Sequence, residues 1–237
     1  MKRIVNVAVA CLFLLLIGVT SKAQAQNDYS SAPGKPSIGK YSRDYVMMQV
    51  TFDAWAGAPD SIRTGGFSRG FNFDLMYDFP LKEGSHYSFG AGLGISTSNM
   101  FFKDQTVDVG SNARTLGFPS DSSYKHFKLA TAYLEIPVEF RYRQYSNNAN
   151  RGLKAGVGLK FGALANAHTK GKIITGGKRI EKVSDKEFFN TWRVSAMARI
   201  GWGNFSLYGS YSLTGLLKEG TGPTINPYSI GICISGL

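Results

Sequence analysis

Two carboxylates stand four residues apart in the segment YLEIPVEFRYR, and two arginines follow them closely. Glu135, Glu139, Arg141 and Arg143 all occupy alternate positions, and Pro137 lies on the same face between the carboxylates. A pair of carboxylates in different environments can serve as general acid and general base. Since alternate residues of a strand share one face, these charges are predicted to lie side by side. That arrangement favours an ion-paired wall over a catalytic carboxylate pair.

Other segments place charged residues at alternate positions in the same way, opposite a run of apolar residues. Charges removed from water require partners of opposite sign and hydrogen bonds. We therefore predict a network of ion pairs that fills the interior of the protein; a gated polar pathway is the alternative. The charges assigned to this lumen network are Asp53, Asp74, Asp78, Glu135, Glu139, Arg141, Arg143, Lys154, Lys160, Arg193 and Arg199.

The three histidines are candidates for acid–base or metal chemistry, because imidazole does both near neutral pH. His86 falls in a predicted turn, whereas His126 and His168 lie at the same predicted end of neighbouring strands. Extrapolated alternation directs His126 outward and His168 inward, and neither has a serine or carboxylate arranged as in a catalytic set. Two separated histidines are too few for a metal site. We predict no enzymatic activity, no metal and no cofactor.

The run GAGLG from Gly90 to Gly94 could suggest a nucleotide-binding loop. Such a loop leads from a strand into a helix, and no helical pattern follows this run. Glycines at every second position are better explained as the inner face of a barrel strand.

These residues must be positioned by eight segments in which apolar and polar residues alternate with a period of two. Eight such segments in series predict an antiparallel all-β fold. Their connections alternate between short and generally longer ones, as on the two sides of an outer-membrane barrel. The longest connections are expected over residues 97–126 and 168–187. The segments comprise residues 48–55, 71–79, 87–96, 133–143, 153–163, 192–202, 205–214 and 228–235.

The apolar face of these strands could line the inside of a soluble, lipocalin-like barrel or cover the outside of a membrane barrel. The polar face is mostly glycine and serine in several strands, the apolar face is almost free of charge, and aromatic residues lie near strand ends, as interfacial girdles do. A closed sheet also satisfies its backbone hydrogen bonds in lipid. We predict an eight-stranded antiparallel transmembrane β-barrel with up-and-down order and a lumen filled by side chains.

Pro137 conflicts with a closed barrel in one respect. A closed sheet has no free edge strand to accommodate a residue that lacks an N–H. We therefore predict a β-bulge or a missing ladder bond at Pro137.

The amino terminus has the three-part organisation of a secretory signal peptide. Two basic residues precede an apolar run, and Ala23-Gln24-Ala25 provides a small-x-small cleavage motif. The run is shorter than a spanning helix requires, which disfavours an uncleaved anchor. We predict a signal peptide over 1–25, cleavage between Ala25 and Gln26, a flexible periplasmic lead-in over 26–44 and the barrel over 45–237.

Charge and cysteine content narrow the possible partners. Removal of the predicted signal peptide takes away three basic residues and no acidic one, which lowers the formal net charge from +11 to +8. The remaining basic residues are dispersed among strands, so nucleic acid is not an expected partner. Outer-membrane lipid and lipopolysaccharide are the more natural partners. The predicted mature chain keeps one cysteine, Cys233, so it has no internal disulfide.

The phrase YLEIPVE from Tyr133 to Glu139, and the strand GLKAGVGLK that leads to Asn166-Ala167-His168-Thr169-Lys170, resemble the PorT-like outer-membrane β-barrel proteins of Bacteroidetes. The resemblance covers most of the predicted mature chain. It implies export to the outer membrane of a Gram-negative cell. It also implies a non-enzymatic, structural or secretion-accessory role, because the named member of that family belongs to the type IX secretion apparatus. A lipid A-modifying enzyme and a narrow small-solute pore are the alternatives.

Two of the long connections are unusual in composition, one apolar and one both basic and apolar. They are predicted either to fold over the barrel mouth or to form a docking surface for secretion-system proteins or lipopolysaccharide. The residues concerned are Met100, Phe101, Phe102 and Phe118 in one connection, and Ile173, Ile174, Lys178, Arg179 and Lys182 in the other.

Overall fold

The computed structural model describes residues 46–148, 150–173 and 180–236. The predicted signal peptide, its Ala25–Gln26 cleavage site and the lead-in lie outside these residues, as do Ile174, Lys178 and Arg179. No helix in the described parts of the chain is long and apolar enough to cross a bilayer. The strands are β1 (Val46–Ala56), β2 (Arg69–Pro80), β3 (Tyr87–Phe102), β4 (Tyr124–Arg143), β5 (Leu153–Ile173), β6 (Ile180–Ser184), β7 (Trp192–Trp202), β8 (Phe205–Ser212) and β9 (Asn226–Ser235).

Eight of these strands close into an antiparallel barrel. The order around it is β1-β2-β3-β4-β5-β7-β8-β9, and β1 pairs with β9 over Met47–Ala56 to close the sheet. We call the end with the short β2–β3, β4–β5 and β7–β8 turns the lower end, and the other the upper end. The short strand β6 pairs with the upper part of β5, beyond the part that pairs with β7. The predicted eight-stranded barrel is confirmed.

Apolar side chains face outward along the lower part of the barrel strands. Val50, Leu134 and Trp192 are exposed over 61%, 55% and 73% of their surface, whereas Glu135 and Arg141 are exposed over only 3% and 1%. Soluble monomers rarely expose a continuous apolar band of this extent. A lipid-facing barrel requires such a band.

The long connections are shorter than the sequence predicts, because β3, β4 and β5 continue beyond their expected upper ends. β3 reaches Phe102, β4 begins at Tyr124, and β5 reaches Ile173 before β6 pairs with it. The prediction of loops throughout 97–126 and 168–187 was therefore wrong. We call residues 97–102 of β3, 124–132 of β4 and 164–173 of β5, together with β6, the upper extension.

The polarity of the two faces inverts in the upper extension. On β4, the inward residues change from Glu135 and Glu139 to Phe127 and Leu129, while the outward residues change from leucine to Lys128. Apolar side chains inside and polar side chains outside are the usual arrangement of a sheet in water. The alternation thus continues along the strand, but the apolar face now points inward and the polar face points outward.

Of the two outcomes predicted at Pro137, the structure shows a gap in the ladder and no bulge. The register of β4 is continuous through Pro137, which pairs with Lys160, and shifts instead at the upper end of β4 and between Ala132 and Tyr133. At the latter shift Ala165 is the extra residue of β5. Pro137 coincides with a gap in the pairing with β3, opposite Gly92. The proline therefore interrupts the ladder without altering the register, because removal of one N–H does not require an inserted residue.

Candidate functional site

The lumen of the lower barrel holds a chain of buried ion pairs. Arg143 Nη2 lies 2.5 Å from Asp78 Oδ2, and Arg141 Nη1 lies 3.4 Å from Asp78 Oδ1. The Arg141 Nε donates to Glu139 Oε2 at 2.7 Å, and the Arg199 Nε donates to Glu139 Oε1 at 2.6 Å. Glu139 thus bridges two guanidinium groups. Charge-assisted bonds of this kind are about twice as strong as neutral ones.

A second group of charges lies higher in the lumen. Lys160 Nζ is 3.1 Å from Asp74 Oδ2 and 3.4 Å from Glu135 Oε2. Arg193 Nη2 donates to Glu135 Oε1 at 2.5 Å, and its guanidinium carbon lies 3.7 Å from the centre of the Tyr133 ring. Asp74 of β2 and Glu135 of β4 are therefore neutralised by Lys160 of β5 and Arg193 of β7.

The two remaining charges of the predicted set, Asp53 and Lys154, contact serine or threonine side chains. Asp53 accepts hydrogen bonds from Thr51 Oγ1 at 2.7 Å and from Ser98 Oγ at 2.5 Å. Lys154 Nζ donates to Ser235 Oγ at 2.6 Å. The structure thus places all eleven predicted charges on the inner face, where they contact one another or hydroxyl groups.

Inward glycines make room for these long side chains. A Cβ atom on Gly90 would lie 2.5 Å from the Arg141 guanidinium carbon, and one on Gly94 or Gly156 would collide with Asp74 or Glu139. Contacts this close are essentially absent from real proteins. The GAGLG run is therefore part of the packing of the charged lumen, with no helix behind it that could form a nucleotide site.

An apolar cap closes the upper end of the barrel. Its buried core combines inward residues of the upper extension with residues of the connections. Gln105 ties two connections together, since its Oε1 accepts from Arg63 N at 2.7 Å and its Nε2 donates to Phe118 O at 2.9 Å. We define the apolar cap as the buried residues Ile62, Met100, Phe102, Val107, Val109, Leu116, Phe127, Leu129, Tyr133, Leu164, Ala167, Phe188, Phe189, Leu216, Leu217 and Ile225.

Little space remains between the charged lumen and the apolar cap. Two interior cavities each have a volume of about 30 Å³, and Asp53, Ser98 and Arg193 line both of them. That volume accommodates about one or two water molecules. At the level of these two cavities, side chains therefore fill most of the described interior.

The histidines are not brought together. His126 pairs with Lys172 and His168 pairs with Ala130, so a row of lysines separates the two positions. His168 has the same orientation as the exposed Lys170, and the prediction that it points inward was wrong. The cause is Ala165, whose insertion reverses the parity of the rest of β5. His86, in the β2–β3 turn, contacts the Arg143 carbonyl oxygen through Nδ1 at 2.9 Å.

Reasoning from the charged residues alone did not predict the uncharged side chains that hydrogen-bond to them in the lumen. Ser88 Oγ donates to Asp78 Oδ1 at 2.7 Å, and Gln49 Nε2 donates to Asp74 Oδ2 at 2.9 Å. Their inward parity was readable from the strand pattern, but which carboxylate each one contacts depends on the register between strands. In the described residues, no group of three or more His, Cys, Asp or Glu side chains is arranged to hold a metal ion.

The chain was compared with family models, curated proteins and solved structures. Residues 37–218 match the family model described as outer membrane protein beta-barrel domain. A search of curated proteins found no match. Among solved structures, Ail, the attachment invasion locus protein of Yersinia pestis, is similar at 12% sequence identity and a TM-score of 0.35, over 80% of this chain and 95% of Ail. A porin mutant of Rh. blastica is similar at 8% identity and a TM-score of 0.21, over 80% of this chain and 98% of the porin.

The family match spans most of the described barrel strands, from the start of β1 past the end of β8. The match agrees with the closed antiparallel sheet and with the apolar outer band of the barrel. The chain belongs to the family of outer-membrane proteins with this β-barrel domain, and its place is the outer membrane.

Proposed function

We propose that this protein is a non-conducting, non-enzymatic barrel with a structural or secretion-accessory role, in which a rigid lumen supports the upper extension outside the membrane. The observation that carries the proposal is the filling of the interior from end to end. Ion pairs occupy the lower lumen, and the apolar cap occupies the upper end. A lumen of eight strands is just wide enough for side chains to fill it.

A planar-bilayer recording tests the non-conducting part of this proposal against the small-pore alternative. The refolded mature chain is expected to give no conductance steps, because an ion would have to displace buried salt bridges and then cross an apolar layer. A refolded porin in the same bilayers is the positive control. Reproducible steps from this protein, absent from protein-free bilayers, would contradict the proposal.

The second candidate function, modification of lipid A, is not favoured by the side-chain geometry. It would depend on His126 and His168, which stand on separate rows of the sheet. Mass spectra of lipid A from cells that carry the wild type, His126→Ala or His168→Ala are expected to be identical to those from cells without the protein. A mass shift that needs the wild-type chain and disappears in either variant would support the enzyme instead.

The secretion-accessory role is supported by the sequence resemblance to PorT-like proteins and by a well-packed extension on which partner proteins could assemble. Deletion of the gene, with complementation by the intact chain, is the direct test. If the role is accessory to type IX secretion, the deletion reduces the secreted forms of that system's cargo and complementation restores them. An unchanged set of secreted proteins would reject this role and leave the structural one.

A further inference from the structure

Three lysines form a continuous row on the outer face of the upper extension. Lys128 pairs directly with Lys170, and Lys170 pairs directly with Lys182, so the three side chains leave the same face of β4, β5 and β6. Directly opposite residues of antiparallel strands have Cβ atoms about 5 Å apart. The three Cβ atoms therefore span about 10 Å.

The neighbouring outward positions add positive charge and no negative charge. Phe101 continues the row on β3, and its ring has Arg69 and Lys128 at 5.7 and 5.8 Å from its centre. The next row down consists of Arg69, Asn99, Ala130, His168 and Ser184. We call these two rows together the cationic rows. The neighbouring Glu181 belongs to the opposite face of β6 and accepts a hydrogen bond from Tyr124 at 2.7 Å.

Like charges placed directly opposite one another destabilise a sheet. Partial burial lowers the pKa of Lys128, and the charges of Lys170 and Arg69 lower it further. The pKa of His168 is likewise lowered by burial and by Lys182, Lys128 and Lys170. A multivalent anion placed over the cationic rows would relieve this repulsion.

The position of the cationic rows indicates where that anion comes from. On β4 the outward positions below Lys128 are Ala130, Ala132 and Leu134, so Lys128 is the first outward charge above the apolar band. Lysine side chains lay their aliphatic stems along apolar surface and keep their ammonium groups in water. An anion bound here would stand at the outer edge of the lipid layer, with its acyl chains beside the apolar band.

We propose that the cationic rows bind the phosphate groups of a phosphorylated glycolipid of the outer leaflet, such as lipid A, through Lys128, Lys170 and Lys182. Two phosphate groups on one headgroup match a line of three cations better than a single charge does. The aliphatic surface below the rows accommodates the lipid chains, and the phosphates contact the ammonium groups. The proposal is independent of the conductance and secretion tests above, since a barrel of any role could hold this lipid.

The test uses the full mature chain in detergent micelles and measures lipid binding by native mass spectrometry. The probes are bis-phosphorylated lipid A, lipid A with both phosphates removed, and inorganic phosphate as a competitor. The triple variant Lys128→Gln, Lys170→Gln, Lys182→Gln is compared with a matched control, Lys82→Gln, Lys186→Gln, Lys218→Gln, which removes three exposed lysines elsewhere. Heat-modifiable migration on gels verifies that each variant is folded.

Wild type and control are expected to bind bis-phosphorylated lipid A equally, and the triple variant at least tenfold more weakly. Dephosphorylated lipid A is expected to bind wild type as weakly as the triple variant binds the intact lipid. Equal losses in the control and the triple variant, or equal binding of the two lipids, would overturn the proposal. Displacement of the lipid by millimolar inorganic phosphate would overturn the lipid assignment and leave a site for free anions.

A single substitution keeps the proposal testable if the triple variant does not fold. Lys170 is exposed and lies in the middle of the row, so Lys170→Gln changes little in the packing of the sheet. It is expected to weaken the binding of bis-phosphorylated lipid A about threefold. Binding indistinguishable from wild type would count against the lysine row as the site.

Discussion

At the scale of single residues, Glu139 bridges two arginines in the lumen. Each of its carboxylate oxygens lies within 2.7 Å of a guanidinium nitrogen, one from Arg141 and one from Arg199, and the side chain is almost completely buried. Removal of one member of a buried ion pair leaves its partner charged in a medium of low dielectric constant. Here a single substitution would remove one carboxylate from two cations at once.

We expect Glu139→Gln to lower the free energy of unfolding by about 3 kcal/mol or more. Urea unfolding in lipid vesicles, followed by tryptophan fluorescence, measures this change. Glu83→Gln, in the exposed β2–β3 turn, is the matched control and should change the same quantity by no more than about 0.5 kcal/mol. Equal effects of the two substitutions would mean that the ion pairs contribute little.

His168 provides a pH-dependent reporter of the lysine row. Its pKa is lowered by burial and by Lys182, Lys128 and Lys170, so its neutral form is favoured in the folded protein. Because the unfolded chain binds the proton more readily, folding is weakened as the pH falls below the usual range of histidine. NMR titration of the ring protons is expected to show a pKa below that range.

Lys182→Gln is expected to raise the pKa of His168, whereas Lys218→Gln is expected to leave it unchanged. A pKa of His168 that does not respond to Lys182→Gln would show that burial alone lowers it.

At the scale of elements, the extra residue Ala165 decides which side chains of β5 face water. Below it, Gly162 and Leu164 point inward; above it, Ala167 and Thr169 do. A shift of one residue exchanges the two faces of a strand. The bulge thus places the apolar Ala167 in the apolar cap and Lys170 on the outside.

Deletion of Ala165 is expected to leave Lys170 on the outside, because Leu164 and Asn166 become consecutive residues and the pairing above them with β4 is retained. Limited proteolysis from outside refolded vesicles should then cleave the upper connections no faster than in the wild type. Deletion of Asn147, in the lower β4–β5 turn, is the control. Cleavage that is at least tenfold faster in the Ala165 deletion variant than in this control would show that the bulge itself is needed to hold the upper extension.

The sequence was sufficient to predict the lower barrel but not the upper extension, and the reason is physical. In the lower strands, large apolar residues alternate regularly with glycine, serine or charged residues. The period of two is therefore easy to recognise. In the upper extension the apolar residues change to the other parity, which looks like the end of a strand. The change at Ala165 depends on pairing with β4 and is therefore absent from any local pattern. The partners of individual lumen charges depend on the same long-range register.

At the scale of the whole molecule, the barrel closes only when its two terminal strands meet. β1 and β9 form ten register pairs, from Met47 with Ser235 to Ala56 with Asn226. Closure therefore requires the complete chain to be delivered to the membrane.

We expect the mature protein from cells to begin at Gln26. A secretory leader ahead of the barrel should be removed after Ala25, because small residues precede the cut at the required spacing. Intact-mass measurement of the protein purified from outer membranes tests this expectation, and Ala25→Pro is expected to block the cleavage. A mass that includes residues 1–25 would contradict it.

The inversion of polarity between the lower barrel and the upper extension has a consequence for the choice of bilayer. A membrane thicker than the apolar band would press hydrocarbon against Lys128 and Lys170, and a thinner one would leave Leu134 in water. Either mismatch costs a fraction of a kcal/mol for each ångström. Because the inner and the outer face of the sheet both change polarity at this level, tilting of the barrel does not remove the mismatch. The chain is thus matched to a narrow range of hydrocarbon thickness and should accumulate where the outer membrane provides it.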